Sequence, residues 1–103
     1  MLSFFLWLGS VALAPLCAQW DGALTGEVKD ATDAPIAGAR IIVRNTETSV
    51  QKEALTDATG AYNFLGLSPG DYLVIAEFEG FQKKQSKLRV DGGGKGRIDF
   101  LLN

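Results

Sequence analysis

The sequence has no histidine and a single cysteine, Cys17. The first absence removes the commonest general base and the commonest transition-metal ligand, and a lone cysteine excludes an internal disulfide. An excess of charge of one sign is also missing: ten basic residues stand against twelve acidic ones, for a net charge of -2. Such a balance leaves no electrostatic footprint for nucleic acid or for an anionic membrane surface. Helical periodicity is absent after the first eighteen residues. With 103 residues, one domain with one modest core is expected, carrying neither cofactor nor metal.

What is present begins with an apolar leader. Residues 1–18, "MLSFFLWLGSVALAPLCA", carry no charged side chain and give way at once to the polar "QWDG". This break predicts a signal peptide cut between Ala18 and Gln19, so that the mature domain is 19–103. The run is shorter than the roughly 20 apolar residues of a spanning helix and holds Pro15 near its end. Export is therefore expected, to the periplasm, outer membrane or exterior of a bacterium; acylation at Cys17 is the minor rival.

Beyond the leader, short alternating runs are separated by turn residues. Gly22 to Lys29 alternates Leu24, Gly26 and Val28 with Thr25, Glu27 and Lys29. A second run sets Ala39, Ile41 and Val43 against Arg40, Ile42 and Arg44, with Ile42 the one apolar residue outside. Gln51 to Thr56 reads as an edge strand, Ala61 to Leu65 as the next, and Asp71 to Phe78, apolar on both faces, as a central one. Leu88 and Val90 resume the alternation, and a last strand puts Ile98, Phe100 and Leu102 on one side. Seven short strands of this kind predict an antiparallel β-sandwich. Its expected core is Leu24, Val28, Ile41, Val43, Tyr62, Phe64, Leu67, Tyr72, Val74, Leu88, Val90, Ile98 and Phe100.

Candidate chemistry is sparse. Asp30, Asp33, Asp57, Asp71 and Asp91 all fall at turns, but calcium needs about 6 to 8 oxygen ligands and no alternating acidic loop is present, so turn formation is the better account. An intramolecular isopeptide bond would join Lys29 to Asn103 with Glu77 as proton carrier, yet alternation puts Glu77 on the solvent face. Sugar binding would need exposed rings, and alternation leaves Trp20 and Phe81 as the candidates. The polar run Gln82 to Lys87 reads as a lysine-protected edge, and "DGGGKG" at Asp91 to Gly96 precedes a strand rather than the helix of a phosphate loop. No catalytic residue is expected.

The order of residues then becomes specific. "LTGEVKDATDAPIAGARIIVRNTET", "LTDATGAYNFLGLSPGDYLVIAEFEGFQK" and "LRVDGGGKGRIDFLL" together resemble the carboxypeptidase regulatory-like domain, across nearly all of 19–103. The resemblance implies a prealbumin (transthyretin-like, Ig-like) sandwich without peptidase activity. It also implies the place such modules take after the signal peptide of TonB-dependent, Oar-like outer-membrane receptors. The implied partner is an envelope protein or the parent receptor barrel; polysaccharide is the alternative.

Overall fold

A computed structural model describes residues 21–103, and no helix occurs among them. The strands are β1 (Gly22–Asp30), β2 (Arg40–Asn45), β3 (Gln51–Leu55), β4 (Ala61–Leu67), β5 (Gly70–Glu77), β6 (Lys84–Val90), β7 (Lys95–Arg97) and β8 (Phe100–Leu102). They form two sheets. One runs β4-β1-β7, with β8 also paired to β1, and the other runs β3-β2-β5-β6. The fold is an all-β sandwich; β3 is an edge and β5 lies inside its sheet, as the sequence predicts.

Alternation puts one face of each sheet against the other. Leu24 and Val28 of β1, Tyr62, Phe64 and Leu67 of β4 and Phe100 and Leu102 of β8 meet Ile41, Val43, Tyr72, Val74 and Ala76 from the opposite sheet. Full burial of one such aliphatic or aromatic side chain contributes about 1.5–3 kcal/mol, so this layer is the main source of cohesion. Eleven of the thirteen residues expected in the core are buried there. Leu88 and Ile98 are only partly buried against it, because Leu88 lies on the edge strand β6 and Ile98 lies between β7 and β8. Ile36, Ala39, Ala76 and Leu102 complete the cluster.

The chain departs from the expected all-antiparallel pattern at its last strand. β7 and β8 both run parallel to β1, with Thr25 opposite Arg97 and Val28 opposite Phe100. Between them the ladder breaks at Ile98 and Asp99, which divides the expected seventh strand into two pieces. The break is compensated locally. Ile98 N–H still donates to the Thr25 carbonyl at 3.0 Å, and the Asp99 carboxylate accepts the Glu27 N–H at 2.9 Å where a strand carbonyl would otherwise stand. At this point a β-carbon on Gly26 would lie 1.7 Å from the Ile98 carbonyl oxygen. Glycine is required there by close approach of backbones. The same carbonyl accepts the Tyr62 hydroxyl, and burial pushes that phenol well above its ordinary pKa, with the Asp99 charge adding and Arg97 opposing.

Two turns of one design organise the sandwich end. Asp30-Ala31-Thr32-Asp33-Ala34 and Asp57-Ala58-Thr59-Gly60-Ala61 differ at a single position. In the first, Asp30 Oδ1 accepts from the Thr32 N–H at 2.8 Å, the Thr32 hydroxyl at 2.6 Å and the Ala34 N–H at 3.1 Å. In the second, Asp57 Oδ1 accepts from the Thr59 N–H at 2.9 Å, the Thr59 hydroxyl at 2.7 Å and the Ala61 N–H at 3.0 Å. The differing position is left-handed in both, Asp33 at φ 68° and Gly60 at φ 77°. Aspartate tolerates that conformation better than most residues, and the second turn uses glycine because a β-carbon there would come 2.5 Å from the Val28 carbonyl oxygen.

Thr56, next to the second turn, joins the two sheets. It is buried, and its hydroxyl donates to the Ile36 carbonyl at 2.6 Å while accepting the Ala39 N–H at 2.8 Å. Its own backbone N–H donates to the Ala39 carbonyl at 2.9 Å, and its carbonyl accepts the Gly38 N–H at 3.0 Å. The segment carrying the chain from β1 to β2 is thereby fixed to the one leading from β3 to β4.

Two predictions follow from this network. Thr56→Val keeps the shape but orphans a buried donor and a buried acceptor, at about 1–3 kcal/mol each. The urea midpoint should fall accordingly in Thr56→Val, while Thr56→Ser, which keeps the hydroxyl, should stay close to the native value; equal midpoints for Val and Thr would contradict the bridging role. The three hydrogen bonds on each turn carboxylate, the threonine hydroxyl's first, hold Asp30 and Asp57 below their ordinary pKa of 3.8. A lowered folded pKa stabilises above the unfolded value, and that stability is lost as pH falls through the folded one. Stability should therefore drop below about pH 4 in the native chain, and less steeply in Asp30→Asn/Asp57→Asn, measured by urea unfolding across the acid range.

Candidate functional site

Of the residues singled out for binding, Phe81 can be placed; Trp20 lies outside the described residues, as do Ala18 and Gln19 of the expected cleavage site. Phe81 stands at the corner where the chain leaves β5 for β6. The corner is made by Gly80 at φ 87° and by the Phe81 N–H, which donates to the Phe78 carbonyl at 3.0 Å. Next along the chain, the Gln82 N–H donates to the Asn103 carbonyl at 2.8 Å, tying the corner to the end of β8. The Phe81 ring is not the open platform expected from alternation. It is half-buried, with its centroid 5.9 Å from that of Phe78 at an interplanar angle of 48°, and both rings pack against the core.

Beside this pair lies an open depression of about 530 Å³, bordered by Arg40, Glu77, Glu79 and Lys83. Three of its four charges are paired, Glu79 making no ion pair among the described residues. Arg40 reaches Glu53 through two nitrogens, at 2.6 and 3.2 Å, and Glu77 through a third at 3.1 Å, while Lys83 approaches Glu77 at 3.7 Å. The hydrogen bond between Arg40 and Glu53 raises the pKa of the guanidinium and lowers that of the carboxylate. Exposed pairs of this kind contribute little stability individually. Chemically the site offers an aromatic edge beside carboxylates and cations, an arrangement that can orient hydroxyl groups.

The other candidate constellations are not assembled. Lys29 faces outward, 3.5 Å from Asp33, whereas Glu77 lies on the outer face of the opposite sheet with Arg40 and Lys83. A proton carrier for a Lys29–Asn103 bond is thus on the wrong layer. The turn aspartates serve the backbone: Asp30 and Asp57 each place one oxygen on three donors of their own turn, and Asp71 and Asp91 pair with Arg89 at 3.0 and 3.6 Å. No set of three or more metal-ligating side chains converges among the described residues. Sequence reasoning missed the hydroxyl bridge of Thr56, although the repeated Asp-Ala-Thr would have pointed to the turn beside it. It missed as well the row formed by Arg44, Leu73 and Lys87, which only strand register brings together.

Two sheets closed by a parallel terminal strand, with the turn carboxylates turned back on the chain, define a small all-β sandwich. A family model for the carboxypeptidase regulatory-like domain matches residues 23–103, and the chain belongs to that family. No curated protein matches the chain in sequence. Among solved structures, the Bacillus anthracis TIE protein aligns over 81% of this chain and 16% of its own, at 18% identity and a TM-score of 0.68. The dioxygenase domain of a dioxygenase carbohydrate-binding protein fusion from Streptomyces sp. SirexAA-E covers 84% of this chain and 82% of its own, at 17% identity and 0.63. A candidate carbohydrate-binding protein from Pseudomonas aeruginosa covers 82% and 90%, at 12% identity and 0.63. At these identities the likeness concerns the fold. The chain spans about one sixth of the Bacillus anthracis protein and most of the other two.

Proposed function

We propose that the chain is a non-enzymatic structural and protein-interaction module of the bacterial envelope, exported by its apolar leader and serving as the N-terminal extension of a TonB-dependent outer-membrane receptor. The observation that carries the non-enzymatic part is the use made of its reactive groups. Both tyrosine hydroxyls bond backbone carbonyls, Tyr62 to Ile98 and Tyr72 to Ser68 at 2.7 Å, and two turn aspartates are saturated by their own loops. Family membership and the order of residues from Leu24 onward support the receptor context. Sequencing the locus downstream of the Asn103 codon tests it: plug- and barrel-like coding sequence is the expected result, and an unrelated gene after a stop codon would remove the receptor from the proposal.

A second reading, carbohydrate binding, is favoured by the Phe78–Phe81 corner with its ring of polar groups and by the candidate carbohydrate-binding proteins of similar fold from Pseudomonas aeruginosa and Bacteroides uniformis. If it holds, Phe81→Ala should abolish retardation in polysaccharide affinity gels, since the aromatic ring supplies the large apolar contact for a sugar face. Thermal unfolding of the same variant should show the fold retained, because only part of the ring is buried. Unchanged migration of both proteins on every polysaccharide tried would count against it.

A further inference from the structure

The outer face of the β3-β2-β5-β6 sheet carries groups that neither the core nor the turns use. Along β5, Leu73 and Ile75 point away from the core, and register places each in a row across the strands. Ile75 lies between Ile42 and Gln85, and Leu73 between Arg44 and Lys87. Ile42 and Ile75 are themselves buried without belonging to the core cluster, whereas Leu73 is half-buried and presents apolar surface on this face. A groove of about 630 Å³ lies at one end of it, bordered by Thr46, Asp71, Leu73, Lys87 and Arg89.

The charges in and beside this groove are not balanced: Lys87 lines it, and Arg44 stands outside the lining, across Leu73 from Lys87. Arg89 is paired with Asp71 and Asp91, but neither Arg44 nor Lys87 makes an ion pair among the described residues. Arg44 is half-buried, and its Nε is sealed from solvent with no hydrogen-bond acceptor. An external carboxylate would bind the terminal guanidinium nitrogens of Arg44, which make no hydrogen bond among the described residues. The two cations flank Leu73 on adjacent strands, so their backbones stand about 10 Å apart, two strand spacings. This contrasts with the other end of the face, where Arg40, Glu53, Glu77 and Lys83 neutralise each other.

We propose that this face docks an extended acidic segment of a partner protein, with an apolar side chain over Leu73 and carboxylates at Arg44 and Lys87. Charge complementarity selects the partner's sign, and the apolar floor selects a peptide over a sugar. No ring is offered for stacking: Tyr72, which borders the groove, is buried with its hydroxyl bonded to Ser68. The proposal rests on the interaction-module reading and names the surface through which the module would act.

The test uses the full chain and a fluorescein-labelled synthetic peptide of alternating glutamate and leucine, read by fluorescence anisotropy at low salt. Saturable binding is expected, weakened about tenfold or more in Arg44→Gln/Lys87→Gln and by raising the salt. Lys87→Gln alone, at an exposed position, should weaken it about threefold with unchanged thermal unfolding, which guards against a folding defect in the double variant. Lys95→Gln, removing an exposed cation from the other sheet, should change it less than about twofold. Absence of binding, or equal affinity in the native and double-variant chains, overturns the proposal. So does binding of polygalacturonate in place of the peptide, which would assign the groove to an acidic sugar. Failure with the peptide alongside receptor coding sequence downstream would sink this docking face and leave the module reading intact.

Discussion

The sandwich depends on a single buried hydroxyl. Two sheets packed face to face are held by non-directional apolar contact, which fixes neither their relative slide nor the path of the connections between them. Thr56 supplies direction. Its side chain and backbone together make four hydrogen bonds to residues 36–39, the stretch that carries the chain from the first sheet to the second. Because that stretch is also tied to β1 by the Ile36 N–H on the Val28 carbonyl, and Val28 in turn donates to Gly60, both sheets and both turns share one set of bonds. Apolar packing contributes most of the stability, and this cluster selects one arrangement from those that packing alone would permit.

The matched turns show how a loop can be rigid without disulfide or metal. Each closes a backbone pair of bonds around one carboxylate, the Asp33 N–H to the Asp30 carbonyl at 3.0 Å and the Gly60 N–H to the Asp57 carbonyl at 2.9 Å. The carboxylate then satisfies three further donors that would otherwise face water. In a chain whose described residues contain no cysteine, such local saturation takes the place of covalent staples.

Most of the fold was legible because period-two alternation and turn chemistry are local signals. Gln51 to Thr56 as an edge and Asp71 to Phe78 as an interior strand follow from charge on the one and apolar residues on both faces of the other. What was not legible is what long-range register creates. The direction of the last strand is invisible to alternation, which reads the same for parallel and antiparallel neighbours; only Gly26 beneath Ile98 marks the close approach. Phe81 looked exposed because alternation assigned most of the other rings to the inward face, and the contact with Phe78 that half-buries it depends on the turn folding back. Arg44, Leu73 and Lys87 are far apart in sequence, so no window could have joined them. Of the candidate site, the sequence thus pointed to one ring, Phe81, and not to the charged residues that register and the turn bring beside it.

The parallel terminal strand has a mechanical consequence. β1 begins beside β7, with Ala23 opposite Lys95, and finishes beside β8, with Asp30 opposite Leu102, so the described chain enters at one end of the sheet and leaves at the other. Tension applied through the two ends is directed along these strands, and it loads their hydrogen bonds together in shear instead of peeling them one at a time. Resistance to such pulling is set by the unfolding rate rather than by equilibrium stability. A domain of modest size and without crosslinks in its described part is, by this topology, suited to transmit load along a polypeptide while remaining folded.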